Sequence, residues 1–267
     1  MHKNLPAWQL IYQSLQQNMG VMLMYVLESK GSSPGRQGFM MAVNANGEMS
    51  GSLGGGIMEF KLTELAKARL ILDDIGPSIH QQFHDKEAAQ NQSGMICSGE
   101  QTIFLYKVSA TELQVAELII KTLQANQNGT MQLTLKGISF CNQIPAQDFS
   151  LNKTADDFLF IEKLGYKQNL YIIGGGHCSL ALAQLMQTMD FYIRLYDDRT
   201  ELNTMAQNHF VHEKIVLDNY GHLEKCIPSG ENNYVVVMTL GYRTDDIAVR
   251  ALLNKRLAFL GILGSKK

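Results

Sequence analysis

The sequence predicts an α/β fold in two parts. From Leu170 onward, short apolar runs alternate with helical stretches, which is typical of a parallel sheet covered on both faces. A glycine triplet at 174–176 stands between the first of these runs and its helix, as in the ligand-binding turn of a doubly wound sheet. We therefore expect a mixed α/β domain over 1–145 and a C-terminal doubly wound, Rossmann-like parallel sheet over 146–267.

The composition is that of an ordinary globular protein. The chain has 267 residues, of which 45% are hydrophobic and 18% charged, and this length allows two cores. The formal charge of -2 gives no general argument for nucleic acid or an anionic membrane surface as a partner. We see neither the roughly 20-residue apolar run of a membrane span nor a signal peptide. We expect a cytoplasmic protein with no nucleic-acid and no membrane partner.

The first helix and hairpin carry the clearest N-terminal signals. Apolar residues at helical spacing predict a buried helix face, formed by Trp8, Ile11, Tyr12 and Leu15. Asn46-Gly47 predicts a hairpin turn. We expect further strands at 21–27, 39–43, 102–108 and 130–135 and further helices at 57–72 and 111–123. Residues 141–165 show no sustained period, and we place the linker there, with aromatic side chains that pack nearby.

The C-terminal part alternates strands and helices. We expect strands at 170–173, 191–196, 215–217, 234–239 and 259–263 and helices at 177–189 and 245–255. Right-handed crossovers between parallel strands then give the doubly wound arrangement.

Two glycine triplets stand where a backbone can close on a phosphorylated ligand. They are Gly54, Gly55 and Gly56 in the first part and Gly174, Gly175 and Gly176 in the second. A loop without side chains leaves its N–H groups open, and the helix behind it adds the positive end of its dipole. Two such turns predict two anion sites, or one ligand held by two domains at a common cleft.

The second triplet fits a dinucleotide fingerprint. Residues 174–179 match G-x-G-x-x-G/A except that Ser179 replaces the last small residue. Asp197 ends the next strand, where its carboxylate can accept from a ribose hydroxyl, and the adjacent carboxylates argue against a 2′-phosphate. Arg199 could contact a phosphate or pair with a carboxylate, and His177 is a candidate ligand contact. The alternative is a sheet whose glycines only make a tight turn.

Four cysteines are widely spaced and form no CxxC pair. This pattern is neither a disulfide framework nor a zinc knuckle, so each cysteine is a single thiol. Cys178 lies at a helix start, where we expect it to pack. Cys141 and Cys226 carry no functional signal.

Several motifs, in the same order along nearly the whole chain, resemble the XdhC/CoxI family. The N-terminal ones are ESKGSSP at 28–34, GSLGGGIME at 51–59 and CSGE at 97–100. The C-terminal ones are GGGH at 174–177, DDR at 197–199, VVVMT at 235–239, Asp245, and LGILGS at 260–265.

Members of this family are accessory proteins for molybdenum hydroxylases such as xanthine dehydrogenase and carbon monoxide dehydrogenase. The resemblance implies that this chain binds the molybdenum cofactor (molybdopterin), supports its sulfuration with a sulfur donor, and delivers it to the apo-enzyme. It also suggests a homodimer. We expect a cofactor carrier rather than a turnover enzyme, and we assign no catalytic residue.

The candidate site has an N-terminal and a C-terminal half. Cys97 is the candidate metal ligand, because a thiolate is a soft donor, and its alternative is a buried structural thiol. The other N-terminal cofactor-binding candidates are Ser32, Ser33, Arg36, Gly54, Gly55 and Gly56. The C-terminal candidates, for NAD, another adenine nucleotide or the nucleotide half of the cofactor, are Gly174, Gly175, Gly176, His177, Asp197, Arg199, Thr239 and Asp245. Alternatively, residues 31–59 form a structural turn system in which Glu59 caps the first helical turn.

Two other functions remain open at the level of sequence. One is an NAD-dependent oxidoreductase, although the spacing of His209, His212 and His222 assigns none of them as an acid or base. The other is a nucleotide-sensing interaction protein that catalyses nothing. A cofactor loop does not by itself define a dehydrogenase.

Overall fold

The computed structural model describes residues 2–72, 76–83 and 99–264. The chain divides into two compact units, Met1–Gly165 and Tyr166–Lys267. The N-terminal unit therefore ends at Gly165 rather than at residue 145, because the region assigned to the linker forms strands of this unit. Both units combine helices with strands, which confirms the predicted α/β class.

The N-terminal unit contains three α-helices and two antiparallel sheets within the described ranges. The helices are α1 (Leu5–Gln16), α2 (Gly56–Ile71) and α3 (Leu113–Gln124). The strands are β1 (Val21–Gly31), β2 (Met40–Asn44), β3 (Met49–Gly51), β4 (Ser78–Phe83), β5 (Gly99–Lys107), β6 (Gly129–Thr134), β7 (Gly137–Cys141), β8 (Phe149–Lys153) and β9 (Phe158–Leu164). Their orders are β3-β2-β1-β5-β4 and β7-β6-β9-β8.

Strand β1 is the centre of the larger sheet and is buried on both faces over residues 21–27. Alternate side chains enter two different cores. Leu23 and Tyr25 pack in a core with α1, α3, β6 and β9, whereas Met22 and Met24 pack in a core with α2. Antiparallel sheets commonly leave one face to solvent, and the second layer here explains why this strand is continuously apolar.

Strand β9 shows why the linker prediction was wrong. Its side chains alternate between buried and half-buried positions, and Phe158 and Phe160 are 3% and 0% exposed. Phe160 packs edge-on to Tyr25 at a ring-centroid distance of 5.3 Å. The buried Glu162 interrupts the apolar pattern, and it accepts a hydrogen bond from the Tyr25 hydroxyl. Because a charged residue occupies one of the buried positions, the sequence lacks the apolar alternation that would predict this strand.

The C-terminal unit is built on one parallel sheet. Its elements are β10 (Gln168–Ile173), α4 (His177–Met186), β11 (Phe191–Asp197), α5 (Asn203–Gln207), β12 (Glu213–Val216), α6 (Leu223–Cys226), β13 (Gly230–Val237), α7 (Tyr242–Leu252) and β14 (Leu257–Ile262). The strand order β12-β11-β10-β13-β14 is that of a doubly wound Rossmann-like sheet, as predicted. The order reverses between β10 and β13, and ligands of such sheets bind at the strand ends there.

A polar and aromatic cluster fixes His212 beside the first two strands of this sheet. The Ile193 N–H donates to His212 Nδ1 at 2.9 Å, and His212 Nε2 lies 2.9 Å from the Tyr166 hydroxyl. The ring stacks on Tyr192 at 4.6 Å. Burial lowers the pKa of His212 from 6.5 to about 4, so the imidazole is neutral at pH 7. Both ring nitrogens and one ring face contact groups of this unit, so the structure gives His212 a packing role.

None of the helices described is both long enough and apolar enough to cross a membrane.

Candidate functional site

The second glycine triplet brings the ends of β10 and β13 together. Gly174 has φ +104°, and a Cβ at this position would lie 2.4 Å from the Met238 carbonyl oxygen. Its N–H donates to the Tyr196 carbonyl at 2.7 Å, and the buried Ser179 hydroxyl donates to its carbonyl. Only glycine fits this turn, and Ser179 fulfils the close-packing role of the fingerprint.

Gly175 faces the protein rather than a ligand. Its N–H donates to Asp197 Oδ2 at 2.6 Å, and its carbonyl accepts from Thr204 Oγ1 at 2.5 Å. A Cβ added here would meet Leu202 Cδ2 at 2.9 Å. The prediction that ligand phosphate approaches Gly175 is therefore replaced by a structural role.

Gly176 is the open member of the triplet. It is the N-cap of α4, and no side chain in the described part of the chain caps it. A Cβ at this position would have no described heavy atom within 4 Å. The N–H groups of the first helical turn lack intrahelical partners, so Gly176, His177 and Cys178 present backbone donors at the positive end of a helix.

Asp197 is committed to contacts within the protein. It is 0% exposed, and its Oδ1 accepts from the Arg199 backbone N–H at 2.9 Å and from Arg199 Nε at 2.8 Å. Its Oδ2 accepts from Arg199 Nη2 at 2.8 Å and from Gly175 at 2.6 Å. Burial raises the pKa of this carboxyl, but these hydrogen bonds outweigh burial and lower the pKa below its usual value. The predicted ribose contact is replaced by a link between Arg199 and the glycine turn.

Thr239 and Asp245 meet at the end of β13. The Thr239 N–H and hydroxyl both donate to Asp245 Oδ1, at 3.0 and 2.6 Å. Asp245 belongs to the first turn of α7, so this carboxylate connects the strand end to that helix. Thr239 lines the cavity described next, and Asp245 holds it in position.

A cavity of about 790 Å³ opens at the carboxyl ends of the parallel strands. Its wall includes the first turn of α4, the side chains of Arg199 and Glu201, and residues 238–240 after β13. Gly176, His177, Arg199 and Thr239 were expected at such a site, and the structure brings them together. The topology explains this, because successive parallel strands end at the same edge of a sheet.

Cys178 also lines this cavity, which the sequence did not predict. The expected packed thiol is instead exposed, because the first turn of α4 opens toward the cavity. Glu201 and Thr204 were missed as well, since neither belongs to a recognisable motif. In 2–72, 76–83 and 99–264, no group of three or more His, Cys, Asp or Glu side chains could hold a metal ion.

In the first glycine triplet, the N–H groups of Gly54 and Gly55 are bound by side chains of their own unit, Ser52 and Glu59. Glu59 Oε2 accepts from the Leu53 N–H at 2.7 Å, the Gly55 N–H at 3.0 Å and the Ser52 hydroxyl at 2.7 Å. Of these donors, the Gly55 amide was expected to hold a phosphate. The structure instead confirms the alternative, in which Glu59 caps the start of α2.

The loop before this triplet is also tied down by internal contacts. The buried Ser33 donates to the Gly35 carbonyl at 3.0 Å, and Arg36 Nη1 donates to the Gly31 carbonyl at 3.0 Å. Gly54 has φ +117°, and a Cβ on it would lie 2.4 Å from the Gly35 N. This is a structural turn system, and it leaves exposed only the Ser32 and Arg36 side chains among the three donors predicted there. Cys97 lies outside the described residues.

These features define a two-unit α/β protein whose parallel-sheet unit carries a cavity at the carboxyl ends of its strands. Residues 170–267 match the model of the XdhC Rossmann domain, and residues 14–80 match that of the XdhC and CoxI family. Together the matches span more than half of the chain, and the chain belongs to the XdhC/CoxI family.

A solved structure shares this fold. It is a Bacillus halodurans protein described as a xanthine dehydrogenase, with a TM-score of 0.65 and 22% sequence identity. The alignment covers 97% of this chain and 82% of that one. Comparison with curated proteins gives no significant match.

Proposed function

We propose that this chain is an accessory protein that holds the molybdenum cofactor and delivers it to a molybdenum hydroxylase such as xanthine dehydrogenase. Membership of the XdhC/CoxI family supports the accessory role. The observation that carries the proposal is the cavity at the start of α4. We assign the phosphorylated end of the cofactor to it, including the nucleotide half if the cofactor is a dinucleotide.

The cavity fits such a ligand in size and in donors. Its volume of about 790 Å³ lies within the roughly 300–1,000 Å³ of typical ligand pockets. The backbone donors at Gly176 and the guanidinium of Arg199 both favour a phosphate. A separate adenine nucleotide, such as NAD, would meet the same groups.

Sulfur ligation is the second part of the proposal. Cys97 remains the predicted ligand for molybdenum, because thiolates are soft donors. Cys178 is a second candidate, since its thiol is exposed in the wall of the cavity. A bound cofactor would supply the metal chemistry of the client enzyme, and this chain would bind and release it. We also propose a homodimer and a sulfur-donor partner, measurable by light scattering and co-purification.

The experiment compares Gly176→Val with Gly241→Val after co-expression with cofactor biosynthesis. Gly176 and Gly241 are N-caps of α4 and α7, and a Cβ on either has no described heavy atom within 4 Å. Only Gly176 lines the cavity. Elemental and fluorescent pterin analysis should show about tenfold less cofactor in Gly176→Val, which corresponds to about 1.4 kcal/mol of lost binding. Equal cofactor in the two variants would remove the cavity from the proposal.

A further inference from the structure

At the end of β11 the cavity is lined by the guanidinium of Arg199, and the carboxylate of Asp197 is not free to face it. In nucleotide-binding sheets of this type, an acidic residue at this strand end accepts from the ribose hydroxyls. Asp197 has the corresponding position, but it is 0% exposed and accepts four hydrogen bonds from Gly175 and Arg199. A carboxylate offers about four acceptor sites, so a ribose diol finds none left on Asp197.

The same contacts orient Arg199 toward the cavity. Its Nε and Nη2 form a fork with the two oxygens of Asp197, at 2.8 Å each. Across the described ranges, Nη1 has no acceptor, and the side chain is 36% exposed and lines the cavity. A guanidinium fixed along one edge keeps its other edge available, and little conformational entropy remains to be lost when an anion binds.

The acidic side chains around Arg199 weaken its attraction for a phosphate but do not abolish it. Asp198 and Glu201 are both exposed, so water and salt screen them, and Glu201 belongs to the cavity wall. Asp197 and Arg199 neutralise each other, so a phosphate is held by direct hydrogen bonds to the free edge of the guanidinium and not by a net positive charge. A phosphate monoester carries up to two negative charges and three acceptor oxygens, and it can bond directly to the guanidinium.

We infer that Arg199 receives a terminal phosphate monoester and that this cavity selects against a ligand with an unmodified ribose diol at this position. The inference rests on the proposed function and specifies the chemical group at the end of the ligand that contacts Arg199. It reverses the expectation that the acidic strand end excludes a 2′-phosphate. Two ligands share this chemistry: molybdopterin with its terminal phosphate, and an adenine nucleotide with a 2′-phosphate.

The first test is calorimetric titration with NADP and NAD, which differ only in the 2′-phosphate monoester. We expect NADP to bind about tenfold more tightly, as a charge-assisted contact predicts. Equal affinity, tighter NAD binding, or binding of neither nucleotide would overturn the inference.

Two variants separate recognition from structural support. Arg199→Lys keeps a positive charge beside Asp197 but loses the fork, and we expect the ratio of NADP affinity to NAD affinity to fall to within about twofold. Glu201→Gln leaves the Asp197–Arg199 pair intact and should tighten the binding of NADP more than that of NAD. If Arg199→Lys does not fold, the inference is tested by the ratio of NADP to NAD affinity in the wild-type protein and in Glu201→Gln. A folded Arg199→Lys protein that kept the full preference would contradict the role of Arg199.

The second test identifies the ligand that co-purifies with the wild-type protein. We expect molybdopterin ending in a free phosphate. Recovery of NADP instead would support the role of Arg199 and overturn the cofactor proposal. Recovery of a dinucleotide form with an unmodified ribose would overturn the role of Arg199 and leave the cofactor proposal standing.

Discussion

Asp197 and Glu59 have the same structural role in different units. Each is a carboxylate that accepts hydrogen bonds from the backbone of a glycine-rich turn, at Gly175 and at Gly55. Glycine turns bind anions because their amides converge, and a nearby side chain can serve as that anion. In the first turn the carboxylate accepts from Gly55, one of the amides predicted to bind a phosphate. In the second, Gly176 remains open beside it.

The thiols give a prediction at the same scale. Cys178→Ala should lower the molybdenum content of protein co-expressed with cofactor biosynthesis. Cys97→Ala should lower it as well, because Cys97 is the predicted metal ligand. Cys141→Ala and Cys226→Ala are matched controls, because both thiols are exposed and neither lines the cavity. Stability should change by no more than about 0.5 kcal/mol in these three exposed positions. Unchanged metal in both Cys97→Ala and Cys178→Ala would exclude thiol ligation.

At the scale of the element, the start of α2 depends on one side chain. Glu59→Ala removes the acceptor of three hydrogen bonds, so we expect the free energy of unfolding to fall by about 1–3 kcal/mol. Glu59→Gln keeps an acceptor oxygen and should cost less. Urea unfolding measures both.

Glu64→Ala is the control on the same helix. Glu64 forms an exposed ion pair with Lys67, and pairs of this kind contribute about 0–1 kcal/mol. If Glu59→Ala costs no more than Glu64→Ala, the carboxylate does not support the turn.

Sequence patterns predict some elements much better than others. The helix α1 and the strands β1, β10 and β13 were predicted, because continuous or periodic apolar runs mark elements that face a core. The edge strands β4, β7 and β8 were missed. An edge strand has only one neighbouring strand and exposes many of its side chains to solvent. Its sequence is therefore rich in polar residues and resembles that of a loop. The interior strand β9 was missed for a different reason, the buried Glu162.

At the scale of the whole molecule, His212 makes the stability of the C-terminal unit depend on pH. The unfolded imidazole gains a proton below about pH 6.5, whereas the folded one does so only near pH 4. The unfolded state therefore binds more protons between these values. Stability is full above about pH 6.5 and falls toward pH 4, by up to about 3 kcal/mol.

The test is the slope of unfolding free energy against pH, measured between pH 7 and pH 4.5. His212→Gln should flatten this slope, whatever its effect on stability at pH 7. His209→Gln is the control, because His209 is exposed. A slope in His212→Gln as steep as in the control would show that other groups cause the acid sensitivity.

The location of the C-terminal site was predictable, but its hydrogen bonding was not. A parallel sheet places the residues after β10, β11 and β13 at one edge, so Gly176, Arg199 and Thr239 meet there. Which partner a polar side chain chooses depends on distances of a few tenths of an ångström. The sequence left both the pairing of Arg199 with Asp197 and its contact with phosphate open. The structure shows the pairing.

The double burial of β1 has a consequence for biosynthesis. This strand pairs with β5, which ends at Lys107, and one of its faces packs in the same core as β9. During synthesis, β1 is therefore complete at residue 31, but one of its apolar faces stays uncovered until residue 164 has been translated. Binding to a chaperone would protect this segment from association with other chains, whereas slow translation would lengthen the time for which it is exposed.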